Sequence, residues 1–113
     1  MAMTSEDVAE LVRTQIAGRD SSAEWYGLVL DQCLIQPAKI EVIDRQAKDG
    51  KFVDSMESVW LILEERPREK NGYKIVFSER RGMFGLATSG FPTDRFPVLC
   101  GFYGDFPTTL ESM

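Results

Sequence analysis

The sequence predicts an α+β fold: an antiparallel meander sheet of five or six strands, with an N-terminal helix and a short C-terminal helix packed on one face. Three observations support this prediction. Apolar residues recur at helical spacing near the N-terminus, apolar and polar residues alternate through much of the remaining chain between short turns, and a capped segment follows the last apolar run. Short connections favour antiparallel neighbours. We therefore expect residues 1–113 to form a single α+β domain.

The N-terminal helix is predicted from four apolar residues that share one helical face. They are Val8, Leu11, Val12 and Ile16. Thr4 is the expected N-cap, with Asp7 three residues later in a capping-box arrangement. Gly18 is a natural end for this segment, because glycine tolerates the left-handed conformation found after many helices.

The predicted strands follow in a simple order along the chain. They are residues 28–35, 38–45, 59–63, 73–78, 83–88 and 98–103. Asp49 and Gly50 predict a tight hairpin turn, after which Phe52 and Val53 continue the returning strand. Gly101 and Gly104 flank an aromatic pair and indicate a bulge or a close backbone approach. Asp105 is the expected cap of a short helix that runs through Leu110.

The most informative feature for chemistry is that the chain contains no histidine. This excludes Ser-His-Asp and Cys-His nucleophilic systems, and it removes the most common metal ligand. Cys33 and Cys100 are far apart in apolar stretches, and we expect two buried thiols in a reducing compartment, with a disulfide between them as the less favoured alternative. No nucleotide-binding glycine loop is present. The sequence therefore predicts no catalytic residues, no metal and no cofactor.

The charge distribution favours a basic protein as partner. The net charge is −5, and residues 1–44 carry eight acidic and three basic side chains. An acidic domain binds nucleic acid poorly, because phosphate neutralisation supplies most of that affinity. No apolar run is long enough to span a bilayer, and no secretory signal is visible. We expect a cytoplasmic protein that binds neither nucleic acid nor membrane; the oligomeric state stays open.

Four residues are the candidate binding residues. Glu41 and Asp44 would contribute to an acidic face built from the first 44 residues. Trp25 and Tyr26 follow a polar loop and are of the types that concentrate at interface hot spots, although they could equally pin the first helix to the sheet.

Four segments carry a resemblance to known proteins: WLILEE (60–65), GYKIVF (72–77), FGLA (84–87) and GFYGDF (101–106). With these segments the C-terminal half of the chain resembles small uncharacterised bacterial α+β proteins, and none of the segments is tied to an activity. In size, acidity and layout the chain is also similar to immunity proteins that neutralise bacterial toxins. That similarity implies a protein partner and assigns no site residue.

Three function classes remain, in order of preference. The first is a non-catalytic protein-binding domain, an immunity protein or inhibitor that occludes a basic toxin or nuclease. The second is a secretion-chaperone-like helper, which predicts a dimer with an apolar groove. The third is a small-ligand-binding protein or carboxylate-based enzyme, which predicts a cavity near Asp31 or Tyr103.

Overall fold

The computed structural model describes residues 2–18, 20, 22–25, 28–66 and 71–113. Its helices are α1 (Ser5–Gln15), α2 (Leu30–Cys33) and α3 (Phe106–Glu111). Its strands are β1 (Glu24–Trp25), β2 (Leu28–Val29), β3 (Leu34–Lys48), β4 (Lys51–Arg66), β5 (Asn71–Ser78), β6 (Met83–Thr88) and β7 (Val98–Gly104). The α+β class is confirmed, together with its N-terminal helix and short C-terminal helix. In the described part of the chain, no helix combines the length and apolarity that crossing a membrane would need.

The main sheet is a closed barrel with the strand order β3-β4-β5-β6-β7. Consecutive strands pair antiparallel, and Ile43 of β3 pairs in parallel with Val98 of β7 to close the circle. The predicted antiparallel meander sheet is therefore wrong, because the sheet is a closed mixed barrel. Register shifts along β3, β4 and the β6–β7 pair mark irregularities of the kind that bend strands, and alternation in the sequence does not reveal them.

The barrel separates two apolar cores. The inner core draws on β3, β4, β5 and β6, with Leu99 of β7 packed against it, and it contains no helix residue. Its buried members are Val42, Val59, Leu61, Val76 and Ala87. Because Val42, Val59, Val76 and Ala87 are fully buried without a helix over them, this cluster is the inside of the barrel. The outer core joins the other faces of β4, β5 and β6 to all three helices.

Helices α1 and α3 begin as the sequence predicts. The Thr4 side chain accepts a hydrogen bond from the Asp7 backbone N–H, and the Asp7 carboxylate accepts one from the Thr4 N–H. The Asp105 carboxylate accepts from the Thr108 N–H at 2.8 Å. The Phe106 N–H donates to the side-chain oxygen of Gln15 at 2.6 Å, so the start of α3 is tied to the end of α1.

Residues 28–35 differ from the predicted continuous strand. Leu28 and Val29 form β2, the next four residues form the single helical turn α2, and β3 begins after it. Leu30 and Cys33 are buried while Asp31 is exposed, which is helical spacing rather than alternation. A short apolar run suits either structure, and packing against the outer core selects the helix here.

The two cysteines differ in environment. Cys33 is buried in the outer core, whereas Cys100 on β7 is exposed, so the expectation of two buried thiols is wrong for Cys100. Both thiols are free.

Candidate functional site

The most prominent surface feature is a two-stranded ribbon, residues 44–56, that extends beyond the barrel. On β3 the last strand pairing with β7 is at Ile43, and on β4 the first strand pairing with β5 is at Trp60. Between these points β3 and β4 pair only with each other in the described sheet. Residues 46–56 are all exposed. The tip of the ribbon is thus exposed beyond the barrel, while its base, residues 44–47, walls a surface cavity together with residues 99–102 of β7.

A local turn sets the register of the ribbon. Asp49 has a φ of 52° and Gly50 a φ of 76°, and the flanking Lys48 and Lys51 are a strand pair. Positive φ at both central residues is what a type I′ turn requires, and its twist matches that of the paired strands. The hairpin predicted at Asp49 and Gly50 is confirmed.

The two faces of the ribbon have different chemistry. The register from Ala38 to Lys48 is continuous, so alternate residues point to opposite faces. One face carries Ala47 with its partner Phe52, Arg45 with Asp54, and Ile43 with Met56. The opposite face carries Gln46 with Val53 and Asp44 with Ser55.

Arg45 is the centre of the first face. Its guanidinium donates to both oxygens of Asp54 across the ribbon, at 2.7 and 2.8 Å. It also donates to both oxygens of Asp94 in the β6–β7 loop, at 2.9 and 3.1 Å. Asp94 in turn accepts from the Phe91 N–H at 2.7 Å. Because bidentate arginine–carboxylate pairs have a fixed geometry, this network holds the loop against the ribbon.

Electrostatics within the network favour the charged forms. The hydrogen bonds from Arg45 lower the pKa of the Asp54 carboxyl and of the Asp94 carboxyl below the ordinary aspartate value. The same bonds raise the pKa of Arg45. All three groups are therefore ionised at neutral pH, and the network carries one net negative charge.

Exposed apolar side chains surround Arg45. Phe52 is 68% exposed, Met56 48% and Phe91 58%. The Arg45 guanidinium lies 5.2 Å from the centre of the Phe91 ring, which brings the loop aromatic onto the same face as the ribbon residues. We call Phe52, Met56 and Phe91 around Arg45 the docking face.

The structure separates the sequence-predicted binding residues. Glu41 is exposed and lies on the same strand face as Arg45, four residues before it in a continuous register. Asp44 lies on the opposite face and accepts a hydrogen bond from Gln46. Trp25 in β1 is partly buried and packs against the outer core. Tyr26 lies outside the described residues.

Sequence reasoning missed the residues of the docking face. The sequence predicts Phe52 only as part of a returning strand, and it predicts no binding role for Arg45, Met56 or Phe91. One signal was present: Phe52, Val53 and Met56 are apolar on a segment that also contains Lys51 and Asp54, next to a tight turn. The contact between Arg45 and Asp94, 49 residues apart, has no local signal.

A second polar cluster lies at the base of the ribbon, inside the barrel wall. Glu57 is buried and accepts from Ser78 at 3.3 Å and from Arg80 and Arg81 at 3.2 Å each. Burial alone would raise the pKa of Glu57, but the hydrogen bonds from Arg81 and Arg80 outweigh it and lower the pKa. The guanidinium of Arg81 also lies 4.8 Å from the centre of the Phe102 ring.

Asp31 and Tyr103, near one of which the third function class predicts a cavity, are both exposed. A cavity of about 390 Å³ lies beside the β6–β7 loop, walled by Lys74 and residues 89–97 without Thr93. Comparisons of the chain with protein-family models, curated proteins and solved structures give no match.

Proposed function

We propose that the chain is a non-catalytic protein-binding domain that engages a basic protein through the docking face. The observation that carries the proposal is the group of three exposed apolar side chains, Phe52, Met56 and Phe91, around an arginine held by two carboxylates. Aromatic residues, methionine and arginine are the types enriched in protein interfaces. Exposing a set of apolar side chains to water has a free-energy cost, and burial against a partner surface would remove that cost.

Preorganisation supports the same proposal. Arg45 is fixed by four hydrogen bonds before any partner arrives, and Phe91 is fixed near it through Asp94. Side chains that are already ordered lose less conformational entropy on binding than free ones. The docking face is therefore suited to be a rigid anchor.

The charge of the surface indicates the chemistry of the partner. Glu41, Asp54 and Asp94 are negative, whereas Arg45 and the loop residue Arg95 are positive, so this region has one negative charge in excess. The whole chain carries −5. Complementary charge steers association and selects partners. A basic toxin or nuclease, held by an immunity protein or inhibitor in the cytoplasm, fits this requirement, and two free thiols suit that reducing compartment.

In the test, matched variants of the chain are immobilised and exposed to a lysate of the native host. The amount of a basic protein that each variant retains is then compared. Phe52→Ser combined with Met56→Ser should reduce retention about tenfold or more, because interface anchors carry most of the binding energy. Val53→Ser is the control, since Val53 is 47% exposed but lies on the opposite face. Equal loss in both variants would contradict the proposal.

A charge test uses two positions on opposite faces of β3. Glu41→Lys should slow association at low salt, whereas Asp44→Lys makes the same charge change on the other face and should have the smaller effect. If Asp44→Lys has the larger effect, the docking face is not the binding surface. A concentration-dependent dimer that Phe52→Ser abolishes would also overturn the proposal, in favour of the chaperone-like function.

A further inference from the structure

Lys74 is a buried cation whose ammonium group has no hydrogen-bond partner among the described residues. It lies on β5, where it shares a strand face with the inner-core residue Val76 and pairs across to the fully buried Ala87. Its side chain is buried, with 8% relative exposure for the residue, and its ammonium nitrogen has no hydrogen-bond partner among the described residues. Burying an ammonium group away from water is costly unless it is paired.

The surroundings of Lys74 form a cavity with a distinct composition. The cavity has a volume of about 390 Å³, within the range of small-molecule sites. Most of its wall is the β6–β7 loop, which contributes two phenylalanines and two prolines. The apolar wall residues are Phe91, Pro92, Phe96 and Pro97. Ser89 adds a hydroxyl group and Arg95 a second cation.

The acidic groups described near Lys74 accept no hydrogen bond from its ammonium group. Glu64 is its cross-strand neighbour on β4, but the Lys74 ammonium donates no hydrogen bond to it. Asp94 is in the cavity wall, and both of its oxygens accept from Arg45, with one also accepting from the Phe91 N–H. The cavity therefore combines an apolar wall with Lys74, whose buried ammonium group has no hydrogen-bond partner among the described residues.

We propose that this cavity binds a small organic carboxylate with an apolar body. The carboxylate pairs with the Lys74 ammonium, and the apolar body packs against Phe91 and Phe96. The Lys74 ammonium then donates a charge-assisted hydrogen bond to the ligand carboxylate, and the aromatic rings exclude water from that bond. The cavity shares Phe91 with the docking face, but its ligand is a small molecule whose contacts lie on β5 and the β6–β7 loop, so its binding can be measured without the protein partner.

The probes are phenylacetate, hexanoate and acetate, with phenylacetamide as the neutral match and inorganic phosphate as a bare anion. Backbone amide NMR of the isotope-labelled chain follows the titrations. Phenylacetate or hexanoate should shift the amides of Lys74 and residues 89–97 saturably, at least tenfold more tightly than acetate, phosphate or phenylacetamide. Lys74→Met should weaken that binding at least tenfold, and Lys51→Met, an exposed lysine at the ribbon tip, should leave it unchanged.

Three outcomes would overturn the proposal. They are the absence of saturable shifts with every carboxylate, equal binding by Lys74→Met and wild type, and equal binding of phosphate and phenylacetate. The Lys74 side-chain nitrogen resonance in the wild-type chain gives a second measurement that needs no variant. It should move with the same affinity as the amides, and a stationary resonance under saturating phenylacetate would refute the contact. No step of this test contains a protein partner, so a negative result would not contradict the proposed protein-binding function.

Discussion

Replacing Lys74 by methionine should stabilise the ligand-free protein. Methionine keeps an unbranched stem of similar length and removes the ammonium group, which is buried and has no hydrogen-bond partner among the described residues. Most substitutions of buried residues destabilise proteins. The expected change in the free energy of unfolding therefore has the opposite sign to that of most buried substitutions, which makes the measurement decisive.

The magnitude follows from the cost of an unsatisfied buried polar group, about 1–3 kcal/mol. Volume is nearly conserved, so we expect little loss from packing. For a domain of this size a change of 1 kcal/mol moves Tm by about 4 °C. Lys74→Met should therefore raise the free energy of unfolding by about 1–3 kcal/mol and Tm by about 4–12 °C.

Thermal unfolding followed by circular dichroism, with urea unfolding as the second measurement, tests this expectation. Lys51→Met is the matched control, because Lys51 is exposed and its substitution should change stability by less than about 0.5 kcal/mol. The reasoning is refuted if Lys74→Met lowers Tm or moves it no more than the control does.

A lower Tm would mean that Lys74 is paired in solution, and its cross-strand neighbour Glu64 is the group to examine. A double-mutant cycle with Glu64→Gln then separates the two cases. Additive effects are expected here, since the Lys74 ammonium donates no hydrogen bond to Glu64. A coupling energy above about 0.5 kcal/mol would establish the ion pair.

Two further predictions concern the barrel itself. Gly85→Ala should destabilise the protein by about 1–3 kcal/mol in urea unfolding, because the added Cβ would lie 2.5 Å from the Gly101 carbonyl oxygen. Gly101→Ala should destabilise it less, because the nearest atom to its added Cβ is 3.6 Å away. A larger loss of stability in Gly101→Ala than in Gly85→Ala would contradict this packing. Glu57 has a lowered pKa in the folded state, so its contribution to stability is present above the ordinary glutamate pKa of about 4.3 and is lost as pH falls through the lowered value. Urea unfolding between pH 6 and 3 should therefore show a shallower loss of stability in Glu57→Gln than in wild type, and equal slopes would rule out this role for Arg80 and Arg81.

The local features of the fold could be predicted because they depend on short-range contacts. The capping box of Thr4 and Asp7 and the tight turn at Asp49 and Gly50 involve residues within three positions of each other. The irregular pairing near Gly104, where φ is 97°, follows from the same backbone freedom of glycine. In each case the local conformation depends either on a capping side chain or on the backbone freedom of a turn residue.

Closure of the barrel and the composition of both candidate sites were decided only by the tertiary structure. The pairing of Ile43 with Val98 and the bonds from Arg45 to Asp94 join segments about fifty residues apart. Lys74 belongs to an alternating strand in the sequence, and only the closed barrel, with the β6–β7 loop beside it, makes its position a buried one. Strand curvature, loop placement and burial arise from many distant contacts at once, so no local pattern in the chain encodes them.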